Sequence, residues 1–110
     1  METPAQKYLA NAFSDLLDYD AEDPLQPINP LTYLTPEGDT CLHIAAGRGD
    51  LKAVMFLVDA QMDLNLRGDL GNTALHYART RGHNKVVEFL IEQGARVDLV
   101  NELGERAVPL

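Results

Sequence analysis

The segment Gly38-Asp39-Thr40-Cys41-Leu42-His43 recurs 33 residues on as Gly71-Asn72-Thr73-Ala74-Leu75-His76. The residues C-terminal to each segment keep the same register. Ala45 matches Ala78, Arg48 matches Arg81, Gly49 matches Gly82, and Val54, Phe56 and Leu57 match Val87, Phe89 and Leu90. A third copy opens at Gly104 and runs to Leu110. A fixed period of this length makes the chain a stack of like supersecondary units. Stacked units build extended surfaces more readily than enclosed pockets, which favours binding over catalysis.

Within each copy two short helical patterns alternate with a glycine turn. They lie near 41–48 and 51–60, split by Gly49-Asp50, and near 74–81 and 84–93, split by Gly82-His83. Between copies run extended arms, Met62–Gly71 and Arg96–Gly104, each turning at its tip. Ahead of the repeats, residues 3–18 read as an amphipathic helix. Thr3 is a candidate N-cap with Pro4 at the first helical position. Tyr8, Leu9, Ala12, Phe13, Leu16 and Leu17 form one apolar stripe. Pro24, Pro27, Pro30 and Pro36 then exclude a continuous helix or a central strand. This stretch is expected to be an extended connector, packed down through Leu25, Ile28, Leu31, Tyr33 and Leu34. The expected architecture is an all-α repeat solenoid. It comprises a capping helix over 1–20, a connector over 21–37, and repeats over 38–70, 71–103 and, in part, 104–110.

The repeated unit resembles the ankyrin repeat, whose pattern is Thr-Pro-Leu-His-x-Ala-Ala, a glycine turn, an apolar helix and Gly-Ala-Asp-Val-Asn. The first copy reads Thr40-Cys41-Leu42-His43-Ile44-Ala45-Ala46, Gly49-Asp50, Val54–Val58 and Met62-Asp63-Leu64-Asn65. The second reads Thr73-Ala74-Leu75-His76-Tyr77-Ala78-Arg79, Gly82-His83, Val86–Leu90 and Gly94-Ala95-Arg96-Val97-Asp98. The resemblance covers roughly residues 35–107. Cys41 and Ala74 replace the motif proline, and Arg79 replaces an inner-helix alanine. About three repeats are ordinarily needed to bury a continuous core. The N-terminal helix and connector are therefore expected to cap one end. The other end is expected either to stay open, to a partner or a second copy, or to be covered by the last residues.

The resemblance assigns His43 and His76 to local bonds at the helix start, and His83 to the turn. Cys41, two residues before His43, falls in the small-residue slot of Ala74 rather than posing as a nucleophile. No spacing suits a zinc site. No phosphate loop, nucleophile elbow or carboxylate dyad with a pocket is present. No catalytic residue, cofactor or metal is expected.

Charge narrows the partner class. The chain carries 17 acids against 9 bases, a formal net charge of −8. That disfavours nucleic acid, which needs clustered positive charge. No apolar run is long enough to span a membrane. The N-terminus lacks a basic stretch followed by an apolar block, so no secretory signal is expected. With Cys41 as the single cysteine, a cytoplasmic location is expected.

The resemblance places the binding surface on the hairpin tips and the inner-helix side. The arm tips supply Leu34, Pro36 and Glu37, then Arg67, Asp69, Leu70 and Asn72, then Val100, Glu102, Leu103 and Glu105. The inner helices supply Gly47, Arg48, Tyr77, Arg79, Thr80 and Arg81. Five of the six arginines fall on or near this face (Arg48, Arg67, Arg79, Arg81 and Arg106). Arginine suits an interface through its planar fork. An acidic partner segment would fit them. Alternatively, the acidic residues of segment 1–23 pair with these arginines or engage a basic partner. The expected function is non-enzymatic protein binding. The alternative is a small acidic inhibitor or immunity-type protein that blocks a basic enzyme or toxin.

Overall fold

The computed structural model describes residues 1–18 and 21–108. Tyr19 and Asp20 of the capping segment, and Pro109 and Leu110 of the third copy, lie outside the described residues. Among the described residues five α-helices run α1 (Pro4–Ala12), α2 (Cys41–Arg48), α3 (Leu51–Asp59), α4 (Ala74–Thr80) and α5 (Asn84–Glu92). Inner helix α2 packs on α4, while outer helix α3 packs on both α1 and α5. The fold is the all-α repeat expected from the period.

The helix starts follow from their caps. Thr40 Oγ1 accepts from the His43 amide, and Thr40 N–H donates to His43 Nδ1 at 2.9 Å. Thr73 and His76 repeat this arrangement one copy later, at 3.1 Å. Each pair satisfies two amides that a helix N-terminus leaves unpaired. Thr3 and Gln6 do the same for α1. Gly49 closes α2 in the left-handed conformation, φ 74°, which glycine adopts without steric cost.

Helix α1 is shorter than its apolar stripe. It ends at Ala12 rather than running to residue 18. The Ser14 hydroxyl donates to the Asn11 carbonyl at 3.0 Å, a local bond that competes with the helical ladder. Turns then carry Phe13 into the core, where it is 2% exposed, and lay Leu16 against it. Tyr8 ties α1 to α3: its hydroxyl donates at 2.7 Å to Asp50 Oδ1, which also caps Ala53 N–H.

The connector is only partly packed down. Ile28 and Tyr33 lie on the core, and Tyr33 Oη donates to the Leu17 carbonyl. Leu25, Leu31 and Leu34 are exposed. Asp23 and Asn29 side chains accept amides two residues on, from Leu25 and Leu31. These turns fix the backbone whatever the leucine side chains touch.

The core is written in the repeat register. Leu42 and Leu75, and Leu57 and Leu90, are equivalent pairs, all at most 1% exposed. Burying one such side chain contributes about 1.5–3 kcal/mol. Cys41, Ala74 and Ala107 occupy one slot in three copies and are all buried. The third copy thus holds its register through Ala107, with half-buried Val108 beside the core. Exposure diverges towards the C-terminal end. Buried Ala46 has exposed Arg79 as its counterpart, and half-buried Val58 has exposed Ile91. Half-buried Gly47 has exposed Thr80.

Candidate interaction surface

Three hairpin arms stand in one register. The same backbone bond closes each: Thr35 N–H to Asp39 O at 2.9 Å, Gly68 N–H to Asn72 O at 2.8 Å, and Asn101 N–H to Glu105 O at 3.0 Å. The arms also bond sideways. Asp69 N–H donates to Asp39 Oδ1 at 2.9 Å, and Glu102 N–H to Leu70 O at 2.9 Å. Asn101 Nδ2 donates to Asn72 Oδ1 at 2.9 Å.

The repeat histidines hold this platform. His43 Nδ1 accepts from Thr40, so Nε2 carries the proton and donates to the Leu66 carbonyl at 2.8 Å. His76 Nε2 donates to the Glu105 carbonyl at 2.9 Å. Burial holds the His43 pKa below its ordinary value, although the Leu66 bond opposes this. His83 Nε2 donates to the Gly47 carbonyl at 3.0 Å, with its ring over Gly49, and so joins the two repeats. Both His43 nitrogens are thus engaged in fold contacts. Cys41 is fully buried, and burial pushes its thiol pKa up to about 12, so it is not a ready thiolate.

The candidate residues separate into two groups. Asp69, Asn72 and Tyr77 are half-buried and spend polar atoms on the platform. Asn72 Nδ2 donates to Asp69 O, and Tyr77 Oη donates to both Asp39 oxygens. Burial, then the Asp39 contact, raises the Tyr77 pKa. By contrast Arg67, Leu70, Arg79, Thr80, Arg81, Val100, Glu102 and Leu103 are exposed. Leu70 is 49% exposed and Leu103 69%, at equivalent tip positions, and Leu34, Leu66 and Val100 are also exposed on the arms.

Arg48 is exposed yet engaged. Its Nη2 meets Asp15 Oδ2 at 2.7 Å, its Nη1 donates to Ala12 O at 2.9 Å, and it lies 5.8 Å from the Phe13 ring centre. This is the expected alternative in which an acid from the N-terminal segment pairs with a groove arginine. Arg48 and Arg81 share a groove of about 220 Å³ with Asp39, His43, Ile44, Gly47 and Tyr77. Among the described residues Arg67, Arg79, Arg81 and Arg106 form no ion pair.

Two residues central to this surface are not singled out by sequence reasoning. Asp39 anchors the first arm to the second, and a side chain at Gly68 would overlap it. Its only sequence signal is a polar residue at the equivalent positions Asn72 and Glu105. Asp15 is one of six acids in segment 1–23 that could meet these arginines, and nothing in the spacing singles it out, because its partner lies 33 residues away.

A family model described as ankyrin repeats (3 copies) matches residues 5–101. The match includes α1, which the period alone leaves outside the repeats. No curated protein matches the chain. Among the described residues no helix is long and apolar enough to cross a membrane.

Proposed function

Because the chain belongs to the ankyrin-repeat family, whose members generally serve as protein–protein interaction modules, we propose that it is a non-enzymatic binder of another protein. The partner meets the hairpin tips and the inner-helix face. The observation that carries this reading is the set of exposed apolar side chains on the hydrogen-bonded arms, Leu34, Leu66, Leu70, Val100 and Leu103. Beside it lie Arg79 and Arg81, which form no ion pair among the described residues. Apolar tips next to arginine match the composition of protein interfaces. A cytoplasmic site of action belongs to this reading, since the one cysteine is a buried thiol.

The acidic excess of 17 over 9 supports a second reading, an inhibitor of a basic enzyme or toxin. Salt separates the two: a partner held by apolar tips survives high salt, and a steered cationic partner does not.

The test is affinity capture from the native source, with mass spectrometry. It runs in parallel for the parent, for Leu70→Glu with Leu103→Glu, and for Met55→Glu on exposed α3. The tip pair is expected to lose the captured protein and Met55→Glu to keep it. Retention by the tip pair rejects the surface.

A further inference from the structure

Arg48, which lines a groove with Arg81, already holds a carboxylate at its guanidinium, and that carboxylate belongs to the chain itself. We propose, resting on the protein-binding function, that Asp15 is an internal ligand of this groove. It occupies Arg48 until a carboxylate of an extended acidic partner segment replaces it, with Arg81 as the second anchoring cation.

Four features support the exchange. First, Arg48 and Arg81 are equivalent residues one repeat apart and line the same groove. Second, the Arg48 guanidinium keeps two contacts that do not involve Asp15, to the Ala12 carbonyl and the Phe13 ring. The cation therefore stays in place when Asp15 leaves. Third, the paired side chains are 39% and 60% exposed. Water competes for such a pair, so swapping one carboxylate for another costs little. Fourth, Arg81 is exposed and forms no ion pair among the described residues, so an incoming acid meets no described internal competitor there.

The floor of the groove sets where the acids go. Asp39 lies there with Tyr77 Oη and Asp69 N–H on its carboxylate. Its charge keeps a second carboxylate off the centre and confines incoming acids to the arginines at either rim. Packed helices sit about 8–10 Å apart. In an extended polyproline II segment, three residues per turn put side chains at i and i+3 on one face, about 9 Å apart. The partner segment therefore carries acids at i and i+3.

The experiment measures fluorescence anisotropy of a labelled synthetic peptide in which two glycines separate two glutamates, at low salt. The parent is compared with Asp15→Asn, Arg81→Gln, and Asp15→Asn combined with Arg48→Gln. Asp15→Asn is expected to tighten binding by about two- to fivefold, the worth of one exposed ion pair. Arg81→Gln is expected to weaken it by a similar factor, and Arg48→Gln to erase the gain from Asp15→Asn. If Asp15→Asn leaves affinity unchanged or weakens it while Arg81→Gln still weakens it, the internal-ligand idea is overturned and the groove reading stands. Absence of binding by both the parent and Asp15→Asn overturns both.

Discussion

The Tyr77 hydroxyl donates to both carboxylate oxygens of Asp39, at 2.8 and 3.0 Å, from one repeat to the arm that opens the other. Asp39 Oδ1 in turn receives the Asp69 amide. One carboxylate thus joins α4, the first arm and the second. Tyr77→Phe keeps the ring edge-on to His43 and removes only the hydroxyl. It is expected to cost about 1.5–3 kcal/mol, the range for a hydrogen bond to a charged group. Urea denaturation measures this. A loss below about 0.5 kcal/mol would mean that solvent replaces the hydroxyl freely.

Leu42→Ala and Leu75→Ala each remove a leucine that is 1% exposed at equivalent core positions. Each is expected to destabilise by about 2–5 kcal/mol. Similar values for the two would show that the repeats share one core environment, and equilibrium unfolding reports both.

Acid should weaken the fold through His43, whose pKa burial depresses from the ordinary 6.5. The unfolded chain then takes up the proton first. This stability is complete above about pH 6.5 and is lost as pH falls towards the folded pKa. Protonation would also place an N–H on Nδ1, facing the Thr40 amide that donates to it. Urea midpoints are expected to fall between pH 7.5 and pH 5.5 in the parent, and by less in His43→Gln. Equal slopes would remove His43 as the cause.

Cys41, fully buried with a thiol pushed up to about 12, should resist iodoacetamide at pH 8 in the native protein. Labelling is expected only on unfolding, so its rate at varied urea reports the opening of the first repeat. Rapid labelling of the native chain would place the thiol outside the core.

Leu70 holds φ 56° at the tip of the second arm, where a leucine side chain is strained and 49% exposed. Asparagine tolerates this conformation better. Leu70→Asn is expected to preserve or raise stability by up to about 1 kcal/mol. It should nevertheless weaken partner capture. Weaker folding would show that the leucine serves the arm rather than its surface.

The repeat register made most of the fold legible. Thr40-His43 and Thr73-His76 announce two helix starts, and the leucine pairs announce a shared core. These are local or periodic features, and a periodic sequence displays them directly. The end of α1 was not legible, since its apolar stripe continues through Leu16 and Leu17 while the Ser14 hydroxyl interrupts the helix. Nor was the exposure of Leu25 and Leu31 in the connector, where side-chain bonds from Asp23 and Asn29 shape the backbone. At the surface, the exposed tips follow from the register. The commitments of Arg48 and Tyr77 do not, because Asp15 and Asp39 lie 33 and 38 residues from them. Such contacts join different elements and leave no trace in spacing.

The sideways bonding of the arms separates address from architecture. The bonds between arms use backbone atoms and the side chains of Asp39, Asn72 and Asn101. None uses the side chains of Leu34, Arg67, Leu70, Val100 or Leu103. Apart from Leu70, whose φ of 56° restricts its choice, those positions are free to vary chemically while the scaffold that presents them stays the same. A library restricted to them would re-target the molecule with little loss of folding. Any new ligand would meet a surface whose backbone ordering was already complete before contact.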